Sequence, residues 1–73
     1  MNKQERILAV LNKFVGGRHI QEARRMLEAD FPNESWSDLP ELVKGACDTG
    51  LMRKIADRRY ETEPLGEKMV ATT

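Results

Sequence analysis

The sequence predicts a mostly helical α+β domain in which three helices precede a C-terminal two-stranded hairpin. Three observations lead to this prediction. Apolar residues recur at helical spacing in three segments, glycine or proline follows each segment, and the period shortens to that of strands after Gly50. The 73 residues are enough for one domain, which we expect to cover residues 1–73 with an ordered core over about residues 3–69.

The first helix is predicted over residues 3–15. Asn2 is a suitable N-cap, and Glu5, three residues later, completes a capping box. Gly16 and Gly17 follow, and glycine readily adopts the left-handed backbone that ends many helices. The apolar stripe expected to face the core consists of Ile7, Leu8, Leu11, Phe14 and Val15.

The second helix is predicted over residues 21–29. It ends before Pro32, because the residue that precedes a proline is disfavoured in helical geometry. A polar link then covers residues 30–37. Phe31 and Trp36 lie in or beside this link, and we expect both in the core because a small domain needs large side chains there.

The third helix is predicted over residues 38–49. Asp38 is its predicted N-cap and Glu41 the capping-box partner, which leaves Pro40 in the first turn, where no backbone donor is needed. Cys47 lies on the apolar stripe, so we expect it to be packed rather than reactive. The complete stripe is Leu39, Leu42, Val43, Ala46 and Cys47.

The hairpin is predicted from two short charged strands, residues 51–55 and 58–62, which Ala56 and Asp57 connect as a tight turn. An isolated two-stranded hairpin is marginally stable in water, so this one is expected to pack against the helices. Residues 67–71 are predicted to form one last helical turn.

Composition excludes several classes of protein. A single cysteine rules out an intramolecular disulfide and suits the reducing cytoplasm, where we expect the protein to be. One cysteine and one histidine cannot complete a zinc site, so we expect no metal and no cofactor. The longest apolar run, residues 7–11, is far too short to span a membrane. No nucleophile with a pocket stands out, so neither an enzyme nor a small-molecule substrate is expected.

The net charge is zero, but the charges are segregated along the chain. Residues 1–29 carry six basic and three acidic side chains, and residues 30–50 carry one and five. Residues 51–60 carry four basic side chains and one acidic side chain. A neutral chain lacks the overall basic character typical of proteins that bind nucleic acid nonspecifically, yet this segregation permits one basic and one acidic surface.

Three short helices followed by a hairpin form the element order of the winged helix-turn-helix superfamily, which the chain resembles over roughly residues 4–69. Two local motifs are similar to that family. The step from the third helix into the hairpin is Gly50-Leu51-Met52-Arg53-Lys54. The outgoing strand and its corner read Arg59-Tyr60-Glu61-Thr62-Glu63-Pro64-Leu65-Gly66, with glutamate where the family commonly has threonine before the proline.

The resemblance implies that the third helix enters the major groove of DNA with its N-terminal residues near the bases. Two features depart from that pattern. The link over residues 30–37 is longer than the turn of a simple helix-turn-helix. Asp38 and Glu41 also place negative charge where phosphates would approach, and only Lys44 compensates for it.

These departures define the first candidate site, a surface on the third helix that binds a basic protein partner. Its candidate residues are Asp38, Glu41, Lys44 and Asp48. Helix capping and solvation are the competing explanation for Asp38 and Glu41. They do not explain Asp48, which lies near the C-terminal end, where the helix dipole disfavours a carboxylate.

The second candidate site is a basic surface that contacts phosphates. In the hairpin, or wing, its residues are Arg53, Lys54, Arg58 and Arg59, and on the second helix they are Arg24 and Arg25. The competing explanation for the hairpin is protection of an edge strand against aggregation. For Arg24 and Arg25 it is a solvated helix face on which Glu22 and Glu28 lie nearby.

Two functions follow from these sites. In the first, the protein is a small non-enzymatic transcription regulator that binds a protein of the transcription machinery, such as RNA polymerase. The chain is similar in size, and in its lack of accessory segments, to small phage-encoded regulators that bind host RNA polymerase. In the second, it is a winged-helix repressor or activator that binds DNA through its basic hairpin. No long helix is available for dimerisation, so we expect a monomer.

Overall fold

The computed structural model describes residues 1–72. Four helices and three strands follow one another over these residues, in the order α1 (Lys3–Lys13), β1 (Arg18–His19), α2 (Ile20–Asp30), α3 (Leu39–Asp48), β2 (Met52–Ala56), β3 (Arg59–Thr62) and α4 (Pro64–Ala71). The strands form one antiparallel sheet in the order β1-β3-β2. The predicted class, a mostly helical α+β domain, is confirmed. Within residues 1–72 no helix has the length and apolar character to cross a membrane.

Helix α1 begins with the predicted capping box. The Asn2 side chain accepts a hydrogen bond from the backbone N–H of Glu5 at 2.8 Å, and the Glu5 carboxylate accepts one from the Asn2 N–H at 2.9 Å. The helix ends at Lys13, two residues earlier than predicted, and Gly16 and Gly17 follow with φ of +84° and +87°. Val15, placed on the buried stripe by its spacing, is therefore outside the helix and exposed.

Strand β1 was not predicted, because two residues are too few to leave a periodic pattern. Arg18 pairs with Tyr60 and His19 pairs with Arg59, so β1 joins the hairpin as a third strand. His19 also caps α2, since its Nδ1 accepts a hydrogen bond from the backbone N–H of Gln21 at 3.1 Å. The sheet thereby holds the start of α2 beside the hairpin.

Helix α3 begins without the predicted capping box. Asp38 occupies the N-cap position, but its side chain makes no capping hydrogen bond. Its carboxylate instead accepts two hydrogen bonds from the Arg6 guanidinium, both at 2.9 Å. A guanidinium forms stronger, charge-assisted bonds than a backbone amide does. The N–H of Leu39 is satisfied locally by the carbonyl of Trp36, and Pro40 has no N–H to cap.

The hairpin turns one residue later than predicted. Strand β2 continues through Ala56, and Asp57 and Arg58 form the turn. Arg58 has a φ of +58°, a left-handed conformation that few non-glycine residues adopt. The register changes between Lys54 and Ala56, which marks a bulge in β2.

The core lies between the helices and one face of the sheet. Leu11, Phe14 and Trp36 are at most 1% exposed, which confirms the prediction for Trp36, while Phe31 is half-buried and packs against it. Three residues of the stripe predicted on α3, Leu39, Val43 and Ala46, are buried. The buried apolar residues are Val10, Leu11, Phe14, Ala23, Leu27, Trp36, Leu39, Val43, Ala46 and Met52.

Helix α4 covers two turns, Pro64–Ala71, where a single turn over residues 67–71 was predicted. It follows β3 directly, and Gly66 is buried at the junction. A Cβ on Gly66 would lie 2.5 Å from the carbonyl oxygen of Leu51. The absence of a side chain at this position therefore allows α4 to approach Leu51, the residue that precedes β2.

The end of the hairpin is fastened to α1 through Thr62, a buried polar residue. Its backbone N–H donates to the carbonyl of Phe14 at 3.0 Å, and its hydroxyl donates to the carbonyl of Leu11 at 2.6 Å. Tyr60 adds an edge-to-face contact with the ring of Phe14, with centroids 6.2 Å apart. These contacts fix the base of the hairpin and leave its far end in solvent.

Candidate functional site

The far end of the hairpin is the most cationic exposed segment of the chain. We call residues 53–59 the hairpin tip, and every one of them is exposed. Lys54, Arg58 and Arg59 form neither an ion pair nor a side-chain hydrogen bond with any residue that the structure describes. These three cations are therefore available to an external anion.

Arg53, the fourth predicted cation of the hairpin, is engaged by two carboxylates. Its guanidinium binds the carboxylate of Glu61, which lies directly across the strand pair, and its Nε lies 2.9 Å from Oε1 of Glu63. The structure thus divides the predicted cluster into three free cations and one neutralised cation.

The free cations surround the tip instead of sharing one face. Lys54 lies opposite Tyr60, so both side chains project from the face of the sheet that includes buried Met52 and Thr62. Arg59 adjoins Tyr60 in the same strand and projects from the other face, since side chains alternate along a strand. Arg58 occupies the turn between them. Positive charge is therefore presented on both sides of a narrow projection.

The acidic surface predicted on α3 is largely neutralised within the chain. The Arg6 guanidinium holds the pKa of Asp38 below its usual value by hydrogen bonding, and the pKa of Arg6 is raised in turn. Asp48 lies 3.3 Å from the Nζ of Lys44, one helical turn away. Of the predicted set, only Glu41 has no ionic partner among residues 1–72, and it is exposed.

Arg24 and Arg25 line an open groove between α2 and the first turn of α3. Its exposed apolar surface comes from Ile20 and Pro40, while Leu39 also lines it but is only 1% exposed, and its volume is about 430 Å³. Arg24 lies 3.3 Å from the carboxylate of Glu28, whereas Arg25 forms no ion pair in the described part of the chain.

Sequence reasoning missed this groove, because its walls come from segments about one helix length apart and no local pattern joins them. It also missed Arg6 as the partner of Asp38, 32 positions away. It also missed the pairing of Arg53 with Glu61. A two-residue turn at Ala56 and Asp57 would have placed Arg53 opposite Tyr60, whereas the bulge and the later turn place it opposite Glu61.

The remaining reactive groups are the potential metal ligands and the Cys47 thiol. Within residues 1–72, no cluster of three or more histidine, cysteine or acidic side chains is arranged to hold a metal ion. Cys47 is half-buried on α3, and burial together with nearby Asp48 raises the pKa of its thiol. A raised pKa reduces the thiolate fraction, which is the reactive form.

Comparison with known proteins identifies no relative: no family model, no curated protein and no solved structure matches the chain.

Proposed function

We propose that this chain is a small, non-enzymatic transcription regulator of the winged helix-turn-helix type that binds duplex DNA through its hairpin. The observation that carries the proposal is the set of three exposed, unpaired cations at the hairpin tip, Lys54, Arg58 and Arg59. The assignment to the winged helix-turn-helix type is supported by the order of the elements, in which three helices lead into a projecting hairpin.

The placement of the three cations favours a grooved polyanion. A flat anionic surface would be contacted best by cations on one face, whereas Lys54 and Arg59 project from opposite faces of the sheet. A groove of duplex DNA is bordered by two rows of phosphates, so a projection inserted into it meets anions on both sides. Lys54 and Arg59 would each contact one row.

The contribution of α3 to duplex binding is expected to be small. Glu41 is unpaired at its first turn and would repel phosphate, and the positive charge of Lys44 is already offset by Asp48. The hairpin therefore supplies most of the binding energy in this proposal, and sequence readout by α3 is secondary.

The salt dependence of binding to a mixed-sequence duplex of about 20 base pairs tests the proposal. Three phosphate contacts predict a log–log slope of roughly −3 for the association constant against salt. Lys54→Gln and Arg59→Gln should each weaken binding and reduce the magnitude of the slope by about 1. Fluorescence anisotropy of a labelled duplex measures both quantities.

Lys68→Gln is the matched control, because Lys68 is an exposed cation on α4 with no ionic partner in the described residues. It should leave the affinity and the slope unchanged. A slope near zero, or an equal loss of affinity in Lys68→Gln and Lys54→Gln, would show that the hairpin is not a DNA-binding element.

A second candidate function is binding to a protein of the transcription machinery, such as RNA polymerase, through α3. Glu41 favours it, since this exposed carboxylate has no partner among residues 1–72 and Lys44 beside it is paired. The prediction is that Glu41→Gln reduces binding to purified RNA polymerase about threefold or more. Surface plasmon resonance after nuclease treatment measures this, with Glu67→Gln on α4 as the control. Equal affinities for both variants would remove α3 as the docking surface.

A further inference from the structure

The groove between α2 and the first turn of α3 combines an apolar floor with a cationic rim. Ile20 and Pro40 supply the exposed apolar surface, and Arg24 and Arg25 supply the positive charge. Neither the hairpin nor the outward face of α3 forms part of this lining. The groove is thus a separate surface that the proposed function does not use.

The charges of the groove are unbalanced. Glu28 compensates Arg24, with its carboxylate 3.3 Å from Nε of that residue. Arg25 is exposed and forms no ion pair or side-chain hydrogen bond within the described chain. The complementary ligand therefore carries an apolar group for the floor and a single negative charge beside it for Arg25.

We infer that this groove binds a short acidic segment of a partner protein, with an apolar side chain seated against Ile20 and Pro40 and a neighbouring carboxylate paired with Arg25. The groove is open to solvent and holds about 430 Å³, which suits one or two side chains of a peptide. A small molecule that is mostly buried needs a more enclosed site.

A single exposed ion pair with Arg25 contributes little binding energy in water. The apolar side chain is therefore the anchor, and the carboxylate provides selectivity.

Selection of a random 12-residue peptide library against the full chain tests the inference. The enriched peptides are expected to combine a large apolar residue with an aspartate or glutamate within about four positions. Arg25→Glu should reduce their affinity about tenfold or more, and Arg25→Gln by less, as measured by fluorescence anisotropy. Backbone amide chemical shifts should change at Ile20 and Leu39 when the peptide binds.

Two controls separate this result from the proposed DNA binding. Lys3→Glu makes the same change of net charge on α1, and Lys54→Glu makes it at the hairpin tip. Both should leave peptide affinity unchanged, while Lys54→Glu alone should abolish duplex binding. Failure to enrich any peptide, enriched peptides without acidic residues, or equal affinity for Arg25→Glu and the unmodified chain would overturn the inference, whatever the duplex measurements show.

Discussion

At the scale of single residues, Arg6 has the most contacts of any charged side chain described. It binds both carboxylate oxygens of Asp38 at 2.9 Å, donates to the carbonyl of Ser35, lies 3.2 Å from Glu34 and covers the ring of Trp36 at 4.6 Å. One guanidinium thereby joins α1 to the segment that precedes α3. This explains why Asp38 does not act as a helix cap.

The pairing of Asp38 predicts a specific loss of stability in acid. Because Arg6 lowers the folded-state pKa of Asp38, the pair stabilises the fold fully above the ordinary pKa of an aspartate, and this stabilisation disappears as the pH falls through the lowered pKa. Asp38→Asn should cost about 1 kcal/mol at neutral pH, a value reduced by the partial exposure of Asp38. Urea unfolding across the acid range measures the difference, which should shrink towards zero as Asp38 becomes protonated. A difference that stays constant with pH would contradict this assignment.

At the scale of elements, the hairpin neutralises one of its own cations, Arg53, by ion pairing. Glu61 and Glu63 engage Arg53, and this pairing leaves Lys54 and Arg59 as the cations presented by the two strands. The double substitution Glu61→Gln and Glu63→Gln should therefore release Arg53 and make the salt slope of duplex binding steeper by about 1. The affinity should rise together with the slope.

Arg53→Gln provides the matched comparison. In the unmodified chain it should change duplex affinity little, because Arg53 is already neutralised. In the doubly substituted chain it should return both affinity and slope towards their original values, and the double-mutant cycle isolates the coupling. Equal effects of Arg53→Gln in the two backgrounds would mean that the acidic pair does not control this cation.

At the scale of the whole molecule, the features that sequence reasoning recovered depend on neighbours within one or two turns. The capping box of Asn2 and Glu5 and the buried stripe of α3 are of this kind. Strand β1 had no such local signal, because its two residues become a strand only when Tyr60 and Arg59 lie beside them. Helix α4 begins earlier than predicted, at Pro64, and its close approach to Leu51 at Gly66 is a tertiary contact that leaves no local pattern.

In the candidate sites, too, the features set by nearby residues were predicted and those set by distant residues were not. The four hairpin cations were found because they are close together in sequence. Which of them are free depends on cross-strand partners, and the state of Asp38 depends on Arg6 in another helix. Ion pairing between distant segments is set by tertiary packing, so charge patterns along the chain predicted where charged surfaces lie but overestimated the free negative charge on α3.

The two hydrogen bonds from Thr62 affect the timing of folding during synthesis. They supply partners for carbonyls at the C-terminal end of α1, from a residue 51 positions further along the chain than Leu11. A nascent polypeptide that still lacks β3 leaves those carbonyls with only their local partners, the N–H groups of Phe14 and Gly17, and leaves the ring of Phe14 without Tyr60. The C-terminal end of α1 therefore gains its last hydrogen bonds only after β3, 51 positions beyond Leu11, has left the exit tunnel of the ribosome.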